Sequence, residues 1–269
     1  MRPVIIQAMI APPGFQELSP YKPIWVYTRH LPHWRQEGAT YFVTFHLKDS
    51  LPKAALLEIQ KLREEQTNRR QAWTRQSQKS GQKSGQKGEQ KGGQKGGQKS
   101  GKASSQKSEL TEVEADARAE QEAFEKLVFM RVQHWAEKGL GACYFKHLRF
   151  RSILHDAILF WHGKRVDVVA FVIMPNHAHI VVRPLGGIAL EKWLHSVKRF
   201  TALEVNRLRG QAGPIWFQES HDRIVRDLPH LNRCLRYIGR NPVQAGIQNA
   251  SDTRWLNPEL KELGYRFAD

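Results

Sequence analysis

Cysteine is nearly absent. Cys143 and Cys234 are the only two in 269 residues; they form no CxxC pair, which excludes a disulfide-built fold and a thiolate metal centre and fits a reducing compartment. Long apolar runs are missing as well. The N-terminal "MRPVIIQAMIAPPG" carries one Arg and an apolar stretch broken by Gln7, so it does not read as a secretory leader, and no stretch elsewhere is long enough to span a bilayer. Acidic residues are scarce: 26 Asp and Glu stand against 42 Lys and Arg, for a formal net charge of +16 and a pI near 10.0. That balance suits an anionic polymer or surface as partner. What remains is 40% apolar, enough for one sizeable core.

Between about Gln76 and Ser108 the chain becomes "QSQKSGQKSGQKGEQKGGQKGGQKSGKASSQKS", a four-residue repeat with no large apolar residue. Ordering such a segment would cost conformational entropy with no burial to offset it, so residues 76–108 are expected to be a disordered insertion. It holds eight Lys and one Glu, leaving about nine of the sixteen excess positive charges on the rest of the chain. The segment is a solubilising spacer in chemical terms, and a polycation that can add non-specific affinity for nucleic acid.

The flanking segments read as alternating strands and helices. "ATYFVTFHL" (39–47) is a strand by its β-branched and aromatic content; "LPKAALLEIQKLREEQ" is a helix with Pro in its first turn; residues 112–139 are helical up to Gly139. A helix from Ser152 to Trp161 follows, then "RVDVVAFVIM" and "HAHIVVRP" as a hairpin about Pro175-Asn176, an amphipathic basic helix over 187–210, a strand-like "PIWFQESHDRIVR", and a helix opened by Asp227 as N-cap. This order predicts an α+β domain with a mostly antiparallel sheet covered by helices.

Strand alternation puts His177 and His179 on one face of their strand with Val181 and Arg183, while Ala178, Ile180 and Val182 face a helix-covered core. In the Asp227 helix, Leu228, Leu231, Leu235 and Ile238 form the apolar stripe. Tyr237 and Asn241, one turn apart, lie on a flank of that stripe, with His230 two turns earlier. Arg233, Arg236 and Arg240 lie toward solvent. Pro242 is expected to end the helix at or just after Asn241. Singly, each of these residues has an ordinary structural use; together they offer two imidazoles, an amide and a phenol beside three arginines.

"MPNHAHIVV" resembles the signature of HUH single-tyrosine transposases, and "YIGRNPVQAG" resembles the helix that carries their nucleophile. "HLPHWRQEGATYFVTFHLKDSLP", "HSVKRFT" and "WFQESHDRIVR" add matches in the same order, and together they look most like the REP-associated branch of that IS200-like family. The resemblance runs over roughly 22–248 outside the repeat, with Ala178 a small residue for its place and the Lys-rich repeat foreign to the family. It implies a ferredoxin-like domain over 22–250, an N-terminal extension at 1–21 and a C-terminal tail at 251–269. It also implies a cytoplasmic, nucleoid-associated enzyme and leaves a homodimer open.

By the same resemblance Tyr237 is the nucleophile, with Tyr144 and Tyr41 the nearest rivals, and His177, His179 and Asn241 hold a divalent cation, Mg²⁺ or Mn²⁺. The substrate would be single-stranded DNA at hairpin-forming repeats. Lys198, Arg199, Arg233, Arg236 and Arg240 are the candidate phosphate contacts, and His221 or Asp222 would support the ligands from behind. Two other classes fit parts of the pattern: a non-catalytic single-strand binder, and a zinc hydrolase in which His221 or His230 replaces Asn241.

Overall fold

A computed structural model of the chain describes residues 11, 12, 14–28, 32–85, 119, 120, 123, 124 and 126–267. The chain divides into two compact units, one made of Met1–Pro52 with Trp135–Asp269 and the other of Lys53–His134.

The first unit is built on a five-stranded antiparallel sheet. Its strands are β3 (Tyr41–His46), β4 (Val166–Ile173), β5 (His177–Pro184), β6 (His221–Ile224) and β7 (Arg254–Leu256), in the spatial order β6-β3-β5-β4-β7. A two-stranded ribbon, β1 (Trp25–Thr28) with β2 (Pro32–Arg35), precedes it. The crossovers carry α3 (Leu148–Leu159) and α4 (Leu190–Arg209), so β3-α3-β4-β5-α4-β6 winds as the expected ferredoxin-like α+β unit, with β7 added at one edge.

The two faces of the sheet have different chemistry because alternation separates them. Val43, Phe45, Phe171, Ile173, Ala178, Ile180 and Val182 face one way and form a single core with Leu154 and Ile158 of α3 and Trp193, Leu194 and Val197 of α4. Burying each large apolar side chain there stabilises the fold by about 1.5–3 kcal/mol. Phe42, Thr44, His46, His177 and His179 share the opposite face by cross-strand register. That face is covered by α5 (Leu228–Gln244), whose Leu231, Cys234, Leu235 and Ile238 are buried.

Helix α5 begins as the sequence predicts: the Asp227 carboxylate accepts the His230 N–H at 2.6 Å, with Pro229 in the first turn. Its end differs, because Pro242 is passed and the helix runs on to Gln244. The proline gives up only its own N–H, and the chain stops instead where Gly246 takes a positive φ of 69°. There the Gly246 N–H reaches Val243 O at 3.0 Å and the Ile247 N–H reaches Pro242 O at 2.9 Å, closing the last turn.

The C-terminal segment is likewise part of the sheet where a tail was expected. β7 pairs with β4, Trp255 stacks on Phe171, and Leu256, Leu260 and Tyr265 are buried. A three-residue strand and the five-residue α6 (Pro258–Glu262) are too short to show a period. In the N-terminal extension, Gln16 and Leu18 bond to the backbone at Thr40 and Arg226. No helix among the described residues is long and apolar enough to cross a membrane.

The second unit contains α1 (Lys53–Gly85) and most of α2 (126–136), with Ala55, Ile59, Val128 and Val132 buried and Arg131 paired to Glu58 at 3.3 Å. α1 enters the repeat by ten residues, from 76 to 85; Gln and Lys keep most of their rotamer freedom in a helix, and propagation is far easier than nucleation. The rest of the repeat, 86–108, lies outside the described residues, and with it the expectation of disorder there.

Candidate active site

His177 stands first in β5 because the β4–β5 turn is pinned by its neighbour. The Asn176 side chain is buried and donates from Nδ2 to Ala136 O and Leu140 O, both at 3.0 Å. That fixes which way the amide faces, and its Oδ1 meets His177 Nδ1 at 2.7 Å. A carboxamide oxygen only accepts, so Nδ1 carries the proton and Nε2 bears the lone pair. His177 Nε2 is buried without a partner.

His179 follows two residues on, its ring 4.8 Å from that of His177. Thr44, directly across in β3, bonds His179 Nδ1 at 2.8 Å, and Phe42 stacks on the ring at 5.7 Å. Burial drives the His177 pKa down to about 3, and burial with the adjacent His177 drives that of His179 well below the usual value. Both imidazoles are therefore neutral at physiological pH, the state in which they bind a cation.

From above, α5 brings Tyr237 and Asn241 to the same place. Tyr237 Oη lies 3.5 Å from His179 Nε2 and 3.3 Å from Glu137 Oε1, with the ring edge-on to His179 and to Phe42. Burial first, then the Glu137 carboxylate, push the phenol pKa upward, and the Asn241 amide and Arg223 oppose them in part. Asn241 is buried and its Oδ1 has no partner. An orphaned buried polar atom costs about 1–3 kcal/mol; His177 Nε2 and Asn241 Oδ1 are two such atoms, one on β5 and one on the helix whose Tyr237 meets His179. Two imidazole nitrogens and an amide oxygen, all neutral, are donor types that would suit Mn²⁺ or Mg²⁺ and would leave the ion's charge undiminished for an anionic substrate.

The remaining candidates divide. Arg233, Arg236 and Arg240 are exposed along α5, and Arg199 is exposed on α4. Lys198 is occupied, its Nζ donating to Phe217 O at 2.8 Å and Gln218 O at 3.2 Å, where it anchors the loop before β6. His221 pairs across from Thr44 and so shares the histidine face. Asp222 points to the other face, where Arg35 binds it at 2.5 Å and His33 at 2.9 Å, so it does not reach the imidazoles. His230 Nδ1 accepts the Arg226 N–H at 3.2 Å, and burial lowers its pKa to about 4. Among the described residues no group of three or more His, Cys, Asp or Glu is arranged to hold a metal ion. The rival Tyr41 faces the core and donates its hydroxyl to Gln36 O at 3.0 Å.

Three residues at this face were not picked out from the sequence. His46 lies across from His177, and its Nε2 is also buried without a partner. The alternation Phe42-Thr44-His46 could have shown it. Arg223 places its guanidinium 5.5 Å from the Phe42 ring centroid, and its charge favours the Tyr237 phenolate. Glu137 is one hundred residues from Tyr237, and no local pattern links them.

No family model matches the chain, and no curated protein matches it. Among solved structures it is similar to a REP-associated tyrosine transposase bound to a REP hairpin, at 13% identity and a TM-score of 0.40, over 90% of this chain and 87% of that one.

Proposed function

We propose that the protein is a metal-dependent single-tyrosine transposase or endonuclease that cleaves and rejoins single-stranded DNA, at hairpin-forming repeats, through a 5′-phosphotyrosine intermediate. The observation that carries this reading is the Tyr237 hydroxyl 3.5 Å from His179 Nε2 on the histidine face of the sheet; the buried, unpartnered His177 Nε2 and Asn241 Oδ1 on the same strand and helix support it. The motif resemblance and the net charge of +16 point the same way.

Tyr237 attacks the scissile phosphorus, the bond to the 3′ oxygen breaks, and the bond energy is kept in a phosphotyrosine that a 3′-hydroxyl can reverse or redirect. His177, His179 and Asn241 would hold a divalent cation, Mg²⁺ or Mn²⁺, which when bound would supply Lewis acidity toward a phosphate oxygen. The Asn176 and Thr44 bonds keep both imidazoles oriented. Arg223, Arg233, Arg236, Arg240 and Arg199 neutralise phosphates along the strand. Such an enzyme works in the cytoplasm at the nucleoid.

The test uses 3′-labelled single-stranded DNA carrying the palindromes that flank the protein's own gene. With Mn²⁺ or Mg²⁺ the downstream fragment should stay covalently on the protein through SDS and boiling. EDTA, His177→Ala, His179→Ala and Tyr237→Phe should each abolish the adduct, and Tyr237→Phe should leave DNA affinity within about twofold, since no charge is lost. Free 5′-phosphate products without an adduct would mean direct hydrolysis; tight binding without cleavage would mean a binding module.

A further inference from the structure

The phenol that attacks must lose its proton as the new bond forms, and three side chains offer its hydroxyl a hydrogen-bonding atom. Glu137 Oε1 lies 3.3 Å from Tyr237 Oη, His179 Nε2 lies at 3.5 Å, and the Asn241 amide is adjacent. An amide takes up no proton under these conditions. On the reading above, His179 Nε2 would give its lone pair to the cation and would have none left for a proton. The carboxylate remains. It stands in the exposed turn that follows α2, so it can trade a proton with water, while Tyr237 is half-buried beneath it.

We infer that Glu137 is a catalytic residue, the general base that accepts the Tyr237 proton during cleavage and the general acid that returns it on rejoining. This rests on the proposed tyrosine chemistry. In the forward step the phenolic proton passes to the Glu137 carboxylate and a phenol lone pair forms the O–P bond. The P–O3′ bond breaks with its electron pair going to the 3′ oxygen, which is protonated by water. In the return step a 3′-hydroxyl attacks phosphorus and gives its proton to water. The bond from phosphorus to the Tyr237 oxygen breaks, and that oxygen recovers the proton held by Glu137. One group thus serves both directions, as reversible strand transfer requires.

Glu137→Ala and the near-isosteric Glu137→Gln are compared with wild type in single-turnover adduct formation on the same oligonucleotide, beside Tyr237→Phe. Both variants should slow adduct formation about a hundredfold or more. DNA affinity and Mn²⁺ affinity, the latter read by electron paramagnetic resonance, should stay within about twofold. Sodium formate should restore Glu137→Ala at least tenfold with rising concentration, and sodium chloride at equal ionic strength should not, because only formate replaces the missing carboxylate. Unchanged rates in both variants would overturn the assignment. A slow variant with lost Mn²⁺ affinity would make Glu137 a ligand instead, and a slow variant deaf to formate would make it a structural contact. If wild type forms an adduct that Tyr237→Phe lacks while Glu137→Gln is as fast as wild type, this inference alone fails. If wild type forms no adduct, the tyrosine reading falls with it.

Discussion

A single amide decides what His177 can bind. Asn176 is held by two carbonyls, at Ala136 and Leu140, and with its oxygen committed to His177 Nδ1 the imidazole keeps the tautomer whose Nε2 is open. Asn176→Ala should therefore weaken Mn²⁺ binding about 10–100-fold while the sheet folds normally, since the loss of a ligand's hydrogen-bonded support has that order of effect. Titration calorimetry on both proteins is the measurement, and equal affinities would make Asn176 only a turn residue. At this scale the sequence was informative wherever one element sets the geometry. His177 and His179 share a face by strand period, and Tyr237 and Asn241 by helix period. It was silent wherever two elements must meet. Glu137 touches Tyr237, and His46 lies across from His177, only because the chain has folded. Asp222 adjoins His221 in sequence, and the same alternation that joins the two imidazoles sends it to the far side of the sheet.

Between elements, the ribbon β1–β2 is tied to the sheet by charge. His33 and Arg35 of β2 meet Asp222 of β6, and Arg35 also pairs with Glu191 at the start of α4. Burial alone would lower the His33 pKa, but the Asp222 and Glu219 carboxylates outweigh it and raise the value from 6.5 to about 9. A raised histidine stabilises the fold fully below its unfolded pKa, and that contribution is lost as pH rises through the folded one. The stability gap between wild type and His33→Gln should thus be widest near pH 6, on the order of 2 kcal/mol, and shrink to little above pH 9.5. Urea melts across that range check it; a gap independent of pH would show that the ring contributes by packing alone. This ribbon was not legible beforehand, because two four-residue strands give no countable alternation. β7 escaped for the same reason. The end of α5 was misread for a different one: the proline rule is statistical, whereas Gly246 in "NPVQAG" supplies a positive-φ stop that satisfies the last carbonyls.

At the scale of the whole molecule, the repeat and the site belong to different parts. The unit that holds the sheet and every candidate ligand is assembled from Met1–Pro52 and Trp135–Asp269, while the repeat interrupts Lys53–His134. Composition marked the repeat as unable to form a core, although its first ten residues continue α1. Residues 86–108 carry six Lys and one Glu, so their removal takes about five positive charges from the chain and none of the residues of the histidine face. If those lysines contact phosphates, each one released from duty lowers the slope of log K against log salt by about 0.7 on single-stranded DNA. Deleting 86–108 should leave the melting temperature of the sheet unit and the cleavage position unchanged, weaken binding at low salt, and flatten the salt dependence by one to three such increments. The check is fluorescence anisotropy with single-stranded DNA from about 50 to 300 mM salt, alongside mapping of the adduct's nucleotide. An identical slope would make the repeat a spacer that DNA ignores, and a shifted cleavage position would give it a part in choosing the site.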